Sequence, residues 1–459
     1  MIQKSLLNTQ NQIKYEYNNY GLMTKVLQTG RVESEVLYEY DVLNRITKET
    51  QNFSGKSYVI QYSYDDINRQ YSVTHPNGEV ETRTLDEYRR LAEIHWKGNL
   101  IVKDVYEENL RRKRSFGNGV DVAFAYDLQG RLLEKNFLSN DEKLYQFGYQ
   151  YDALKRLNGI DRLPAENYNE SMEYDQEDQI TMWNLKNNMQ ELQKKSTWEW
   201  SKTGNRKIWE ENDATYVGES NALNQITKVN ESMVSWNANK ELVEDAQGTQ
   251  YTWQWGRLIK TETATKTIEY KYDGLSRLIE KHVSGETPEY FAYKGWQNIL
   301  KESNGNFRNY VYGDQMDEII LHEDVNSLTT AQYYYIQNSQ LNTEAIVNEQ
   351  AQIVEKFQYT PFGKVRVLNS SGEQISQSAI GVERLFQGRL YDANTETYNF
   401  RYRWYSPNLG RFISQDPIRF RAGDVNLYRF VKNNPLYWVD PMGLQANNFV
   451  ERVDRAQSS

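Results

Sequence analysis

Pairs of aromatic residues two positions apart, each followed at once by an acid, recur through the chain: Tyr38-Glu-Tyr40-Asp41, Tyr62-Ser-Tyr64-Asp65, Phe124-Ala-Tyr126-Asp127, Tyr149-Gln-Tyr151-Asp152 and Tyr270-Lys-Tyr272-Asp273. An Arg stands four residues beyond each acid, at 45, 69, 131, 156 and 277, and weaker copies Asp86/Arg90 and Glu107/Arg111 fill the gap. Successive acids at 41, 65, 86, 107, 127 and 152 lie 20 to 25 residues apart. Residues two apart in a strand share a face, so each aromatic pair predicts a strand with one apolar side. The residues that follow, such as Asp-Val-Leu-Asn-Arg and Asp-Leu-Gln-Gly-Arg, suit tight turns. Each period is therefore about one hairpin, unstable alone and stabilised by stacking on its neighbours. Either the Asp and Arg pair across the turn, or the acid is solvated and the Arg packs its stem. From Glu166 to Glu269 the pattern frays. Gln179 replaces the Arg after Asp175, and Trp198-Glu-Trp200 and Tyr251-Thr-Trp253 keep the aromatic alternation without the acid.

Composition supports an all-β chain. Aromatics make up 13% of the 459 residues, 35 of them Tyr, and such residues favour pleated surfaces. Mean hydropathy is -0.84 and no apolar run approaches eighteen residues, which argues against a membrane span. The start lacks a basic region followed by an apolar one, so either export uses a route without an N-terminal signal peptide, or this is an internal start or a fragment. A net charge of -9, mixed along the chain, argues against nucleic-acid binding. With no Cys, and His only at 75, 95, 282 and 322, neither a metal nor another cofactor is expected.

The segment Tyr398–Leu444 is dense in aromatics, holds two Asp-Pro steps 24 residues apart and ends at Gly443-Leu444, beyond which fifteen residues remain. An isolated Asp-Pro is ordinarily a turn starter. Here Phe386-Gln-Gly-Arg-Leu-Tyr-Asp392, Tyr405-Ser-Pro407, Gly410-Arg-Phe412, Asp416-Pro-Ile418, Asn433-Asn-Pro435 and Asp440-Pro-Met-Gly-Leu444 stand in one order. The repeat resembles the YD repeat of Rhs proteins, of the C component of insecticidal toxin complexes and of the teneurin shell. Residues 385–444 are similar to the Rhs repeat-associated core domain. Residues 357–365 resemble the segment that precedes that domain.

The resemblance implies a spiralling strip of stacked β-hairpins over residues 1–365, degenerate in 166–269, closed by a core plug at 366–444. The tail 445–459 would be a remnant or the start of a variable toxin region. The family's chain is cut after the Leu of P-x4-D-P-x-G-L, a motif that Pro435, Asp440, Pro441, Gly443 and Leu444 satisfy, so Leu444-Gln445 is the expected scissile bond. Asp416 and Asp440 match the family's catalytic pair. Two close carboxylates suit peptide hydrolysis because repulsion separates their pKa values, leaving one to activate water and one to donate a proton. Arg403 aligns with the family's site arginine, and Arg411 is the fallback. Implied partners are the chain's own C-terminal toxin, a shell-completing protein and secretion machinery, with the protein secreted or at the cell surface after residing in the cytoplasm. Two other classes stay open: a structural or adhesive protein binding glycans or partners through aromatics, and an inactive fragment without toxin.

Overall fold

The structure is a computed structural model that describes residues 2–4, 12–163, 168–187, 189–211 and 213–448. Glu166, where the repeat begins to fray, and residues 449–459 of the tail lie outside the described residues. Among those described, strands dominate, three short 3-10 turns occur and there is no α-helix. Among the described residues no helix is long and apolar enough to cross a membrane.

The chain forms two compact units. One comprises Met1–Asp104, Ile268–Val311 and Ile320–Gln332. Its strands from Ile2–Lys4 to Asn99–Glu107 pair antiparallel, each with the next in sequence. Strands Thr267–Tyr272 to Asn306–Tyr312 do the same. Phe53, Tyr58, Ile279, Ala292 and Leu300 form a buried cluster between these runs. The buried Arg277 in this unit is neutralised by Asp273 and Glu49, each at 2.7 Å.

Pairing across the turn is the rule, with two exceptions. Asp41 Oδ1 accepts the amides of Leu43 and Arg45 at 2.9 Å, and its Oδ2 accepts Arg45 Nε at 2.7 Å. Asp86/Arg90, Asp127/Arg131, Asp152/Arg156 and Asp273/Arg277 repeat this set. The residue before the Arg takes a left-handed conformation, φ 64° at Asn44 and 78° at Gly130, as a three-residue hairpin with a bulge requires. At the Asp65 turn the strand pairing continues through Asp65 and Gln70. Arg69 itself is then left-handed, at φ 52°, and Asp65 binds Asn68 instead. Arg111 turns from Glu107 to Glu318 and Asp314.

In several periods the second aromatic locks one hairpin to the one before it. Tyr64 donates its hydroxyl proton to the carbonyl of Ile46, Tyr151 to Leu132 and Tyr293 to Leu278, at 2.6–2.8 Å. Each acceptor is the residue just after the turn Arg. Where the pattern frays, Trp200, Trp236 and Trp253 donate their indole N–H to Ile180, Ile226 and Leu242 in the same way. The turn arginines complete the link by lying over the next Tyr ring, Arg45 over Tyr64 at 4.2 Å and Arg131 over Tyr151 at 4.8 Å.

The second unit comprises Val105–Thr267, Tyr312–Ile319 and Tyr333–Ser459. Within it a four-stranded sheet, Leu390–Asp392, Thr397–Phe400, Arg403–Ser406 and Arg411–Phe412, carries the buried rings of Tyr398, Phe400, Tyr405 and Phe412. Phe430 packs among them, 4.2 Å from Tyr405 and 5.3 Å from Phe400 between ring centroids. The degenerate turns meet this segment. Gln179, Asn205 and Gln225 occupy the Arg position of their turns and are buried. Gln179 accepts from Asn433, Asn205 accepts from Arg411 and Asn426, and Gln225 donates to Tyr428. The loss of Arg at these turns follows from what they touch. A short amide satisfies a buried polar contact that a guanidinium would overfill.

Candidate active site

The small sheet and the loops that flank it bring Arg403, Asp416 and Asp440 together. Arg403 Nη2 donates to Asp416 Oδ2 at 3.0 Å and to Asp440 Oδ2 at 3.2 Å. One nitrogen touches both carboxylates, so the two acids share a site although they are 24 residues apart in sequence. The guanidinium stacks over Phe412 at 3.5 Å and gives Nη1 to the Leu427 carbonyl at 3.2 Å. Its Nε donates to the Gly443 carbonyl at 2.5 Å. All three charged residues are almost fully buried.

Asp440 holds the chain that follows it. Its Oδ1 accepts the amide of Leu444 at 2.9 Å and that of Gln445 at 3.2 Å. The loop closes through Gly443, whose φ is 68°, and a Cβ there would lie 2.4 Å from the Phe400 carbonyl oxygen. Only Gly fits that bend. Gln445 is exposed, so the bond between buried loop and tail lies at the surface of the unit.

Burial pushes Asp416 up to about 6, against the opposing effects of Arg403 and the Ile418 amide. Burial also raises Asp440, against Arg403 and the amides of Leu444 and Gln445. Both carboxyls are thus moved from the usual carboxylate range toward the pH range in which acid–base work is done. Among the described residues no group of His, Asp and Glu is placed to hold a metal ion.

Residues 99–436 match the model of the teneurin YD-shell family. The chain belongs to the teneurin YD-shell family. Tc toxin structures share the YD-shell fold: the crystal structure of TcdB2-TccC3-Cdc42 superposes over 97% of the chain with a TM-score of 0.75, at 15% identity, and 27% of that chain is covered. The toxin protein Tse5 of Pseudomonas aeruginosa is 22% identical over 92% of this chain. The tRNA nuclease WapA of Bacillus subtilis is 29% identical over 52% of it. This YD-shell chain spans 36% of the length of Tse5 and 10% of that of WapA.

Other sequence-chosen residues of this YD shell are placed differently. Arg411 engages Asn205 and Asn426, and its ring partner is Tyr428 at 5.4 Å. Pro435 is buried in a loop anchored by Asn433, which donates to Gln179 and to the Gly204 carbonyl. Pro441 contributes its carbonyl as an acceptor for Arg389 at 2.8 Å and for Arg401. Sequence reasoning missed Arg389, Arg401, Gln387 and Asp317. Gln387 meets both the Asp440 amide and the Trp438 carbonyl at 3.4 Å. The Gly-Arg of Phe386-Gln-Gly-Arg-Leu was a signal for Gln387 and Arg389, whereas Asp317 stands in no recognisable motif.

Proposed function

We propose that the chain cuts itself once, at Leu444-Gln445, and so frees whatever follows from a YD-repeat shell that sequesters it. The placement of Asp440 Oδ1 against the Leu444 and Gln445 amides carries this reading. Asp440 acts as base. It takes a proton from a water molecule whose oxygen attacks the Leu444 carbonyl carbon, while protonated Asp416 donates to the carbonyl oxygen. Collapse of the gem-diol breaks the C–N bond as one hydroxyl returns its proton to Asp416, and Asp440 passes its proton to the Gln445 nitrogen. The products are a Leu444 carboxyl and a Gln445 amine. Arg403 stabilises the negative charge of the pair and pins the preceding peptide through the Gly443 carbonyl.

Residues 1–365 serve as the shell strip and 366–444 as the core that carries the site. The segment that begins at Gln445 is the released cargo, of toxin type, and the whole is exported before release. Likeness to Tse5, WapA and TccC3 supports the toxin context. The test is a time course of the purified chain at pH 5 to 8 beside Asp416→Asn and Asp440→Asn. Cleavage of the parent chain alone supports the reading. Equal cleavage of all three, or of none, rejects it.

A further inference from the structure

The Pro441 carbonyl, one residue past Asp440, lies between two buried arginines. Arg389 Nη1 donates to it at 2.8 Å, and Arg401 Nη1 donates to it as well. Both guanidiniums then converge on one carboxylate. Arg401 Nη2 reaches Asp317 Oδ1 at 2.7 Å, and Arg389 Nη2 reaches Asp317 Oδ2. Asp317 belongs to the segment Tyr312–Ile319, 84 residues before Arg401. Two cations aimed at one carbonyl in a buried site repel each other unless a carboxylate balances them. Asp317 supplies it.

Asp317 is itself fixed from both sides. Its backbone is left-handed at φ 71°, and its carbonyl accepts from Gln337 Nε2 at 3.2 Å. Gly388 packs so closely that a Cβ there would lie 2.6 Å from that carbonyl oxygen. On the far side of the clamp, only Met442 and Gly443 separate Pro441 from the two residues whose amides must both reach Asp440 Oδ1. Freedom at Pro441 passes directly to the Leu444-Gln445 bond.

We propose that Asp317, Arg389 and Arg401 are positioning residues, a clamp on Pro441 that presents the Leu444-Gln445 peptide to Asp440. The proposal rests on the self-cleavage reading for its purpose, but the positioning can be measured without any cutting. The experiment follows amide hydrogen exchange at Leu444 and Gln445 in the full chain carrying Asp416→Asn, with and without Asp317→Asn. The expected result is loss of protection at these two amides, while amides of the strands Thr397–Phe400 and Arg403–Ser406 keep theirs. Unchanged protection at Leu444 and Gln445 overturns the clamp. Should Asp317→Asn also expose the strand amides, Arg401→Lys decides by the same criterion, because Lys keeps the charge but lacks the rigid fork whose two nitrogens hold Pro441 and Asp317 separately. In the parent background Asp317→Asn is expected to slow cleavage about 100-fold, the cost of a misplacement near 1 Å. Cleavage by Asp317→Asn at the parental rate also overturns the clamp. A parent chain that never cuts rejects the self-cleavage reading and leaves the exchange result to decide the clamp.

Discussion

Replacing Arg403 by Met keeps an apolar stem over Phe412 and removes the one cation shared by Asp416 and Asp440. It also strips donors from the Gly443 and Leu427 carbonyls. Taking one partner from a buried ion pair costs about 3–5 kcal/mol, because the remaining charge has no compensation. Here two carboxylates are left, but protonation limits the loss. Arg403 lowers both acids against the raising effect of burial, so its removal lets both rise further. A carboxyl whose folded pKa is raised contributes stability below its unfolded pKa, and that stability is lost as pH rises through the folded value. The deficit of Arg403→Met is therefore greatest at pH 8 and shrinks toward pH 4, as Asp416, at about 6 even with Arg403 present, takes up its proton. Urea unfolding followed by tryptophan fluorescence at pH 4, 6 and 8 measures this directly. A deficit that is equal at all three values, or below about 1 kcal/mol at pH 8 where a buried pair should matter most, would refute the shared-cation reasoning.

Self-cleavage should fall about tenfold per unit above the value near 6 to which burial pushes Asp416, as the donor proton is lost; a rate flat from pH 5 to 8 contradicts the assignment of Asp416 as acid. Arg131→Ala should cost about 1 kcal/mol, through loss of the Asp127 pair and of stacking on Tyr151. Arg69→Ala should lie within error of the parent in the same unfolding assay, because Arg69 does not pair with its turn acid. Gln179→Arg restores the repeat pattern yet should destabilise by about 2 kcal/mol, since the new charge enters a buried contact with Asn433; a gain in unfolding midpoint would show that the degenerate turns are mere decay.

The repeat was legible because turn chemistry dictates it. An acid that caps two turn amides, a left-handed residue and an Arg four positions on can be read without knowing any long-range contact. The exceptions needed the fold. Arg69 departs because the Asp65 hairpin closes at Gln70, one residue later than the others, which takes Arg69 into the loop, and Arg111 because Glu318 and Asp314, distant in sequence, draw it away. Gln179, Asn205 and Gln225 read as degeneration, yet each answers a side chain of the segment 411–433 that no local pattern reveals. At the candidate site, Asp416, Asp440 and Arg403 stood out because the motifs around them are dense. Asp317 did not, because its role depends on two arginines brought from outside its own segment.

Intact mass of the purified full chain, before and after incubation near pH 5, tests self-cleavage most directly. The expected product ends at Leu444, lacks the fifteen residues that follow, and is absent from Asp440→Asn. Breaks at Asp416-Pro417 or Asp440-Pro441 would mark acid lability of the Asp-Pro bond, and a break at Gly443-Leu444 would move the reaction to the carbonyl that Arg403 holds. A mass that stays at full length under every condition contradicts the account.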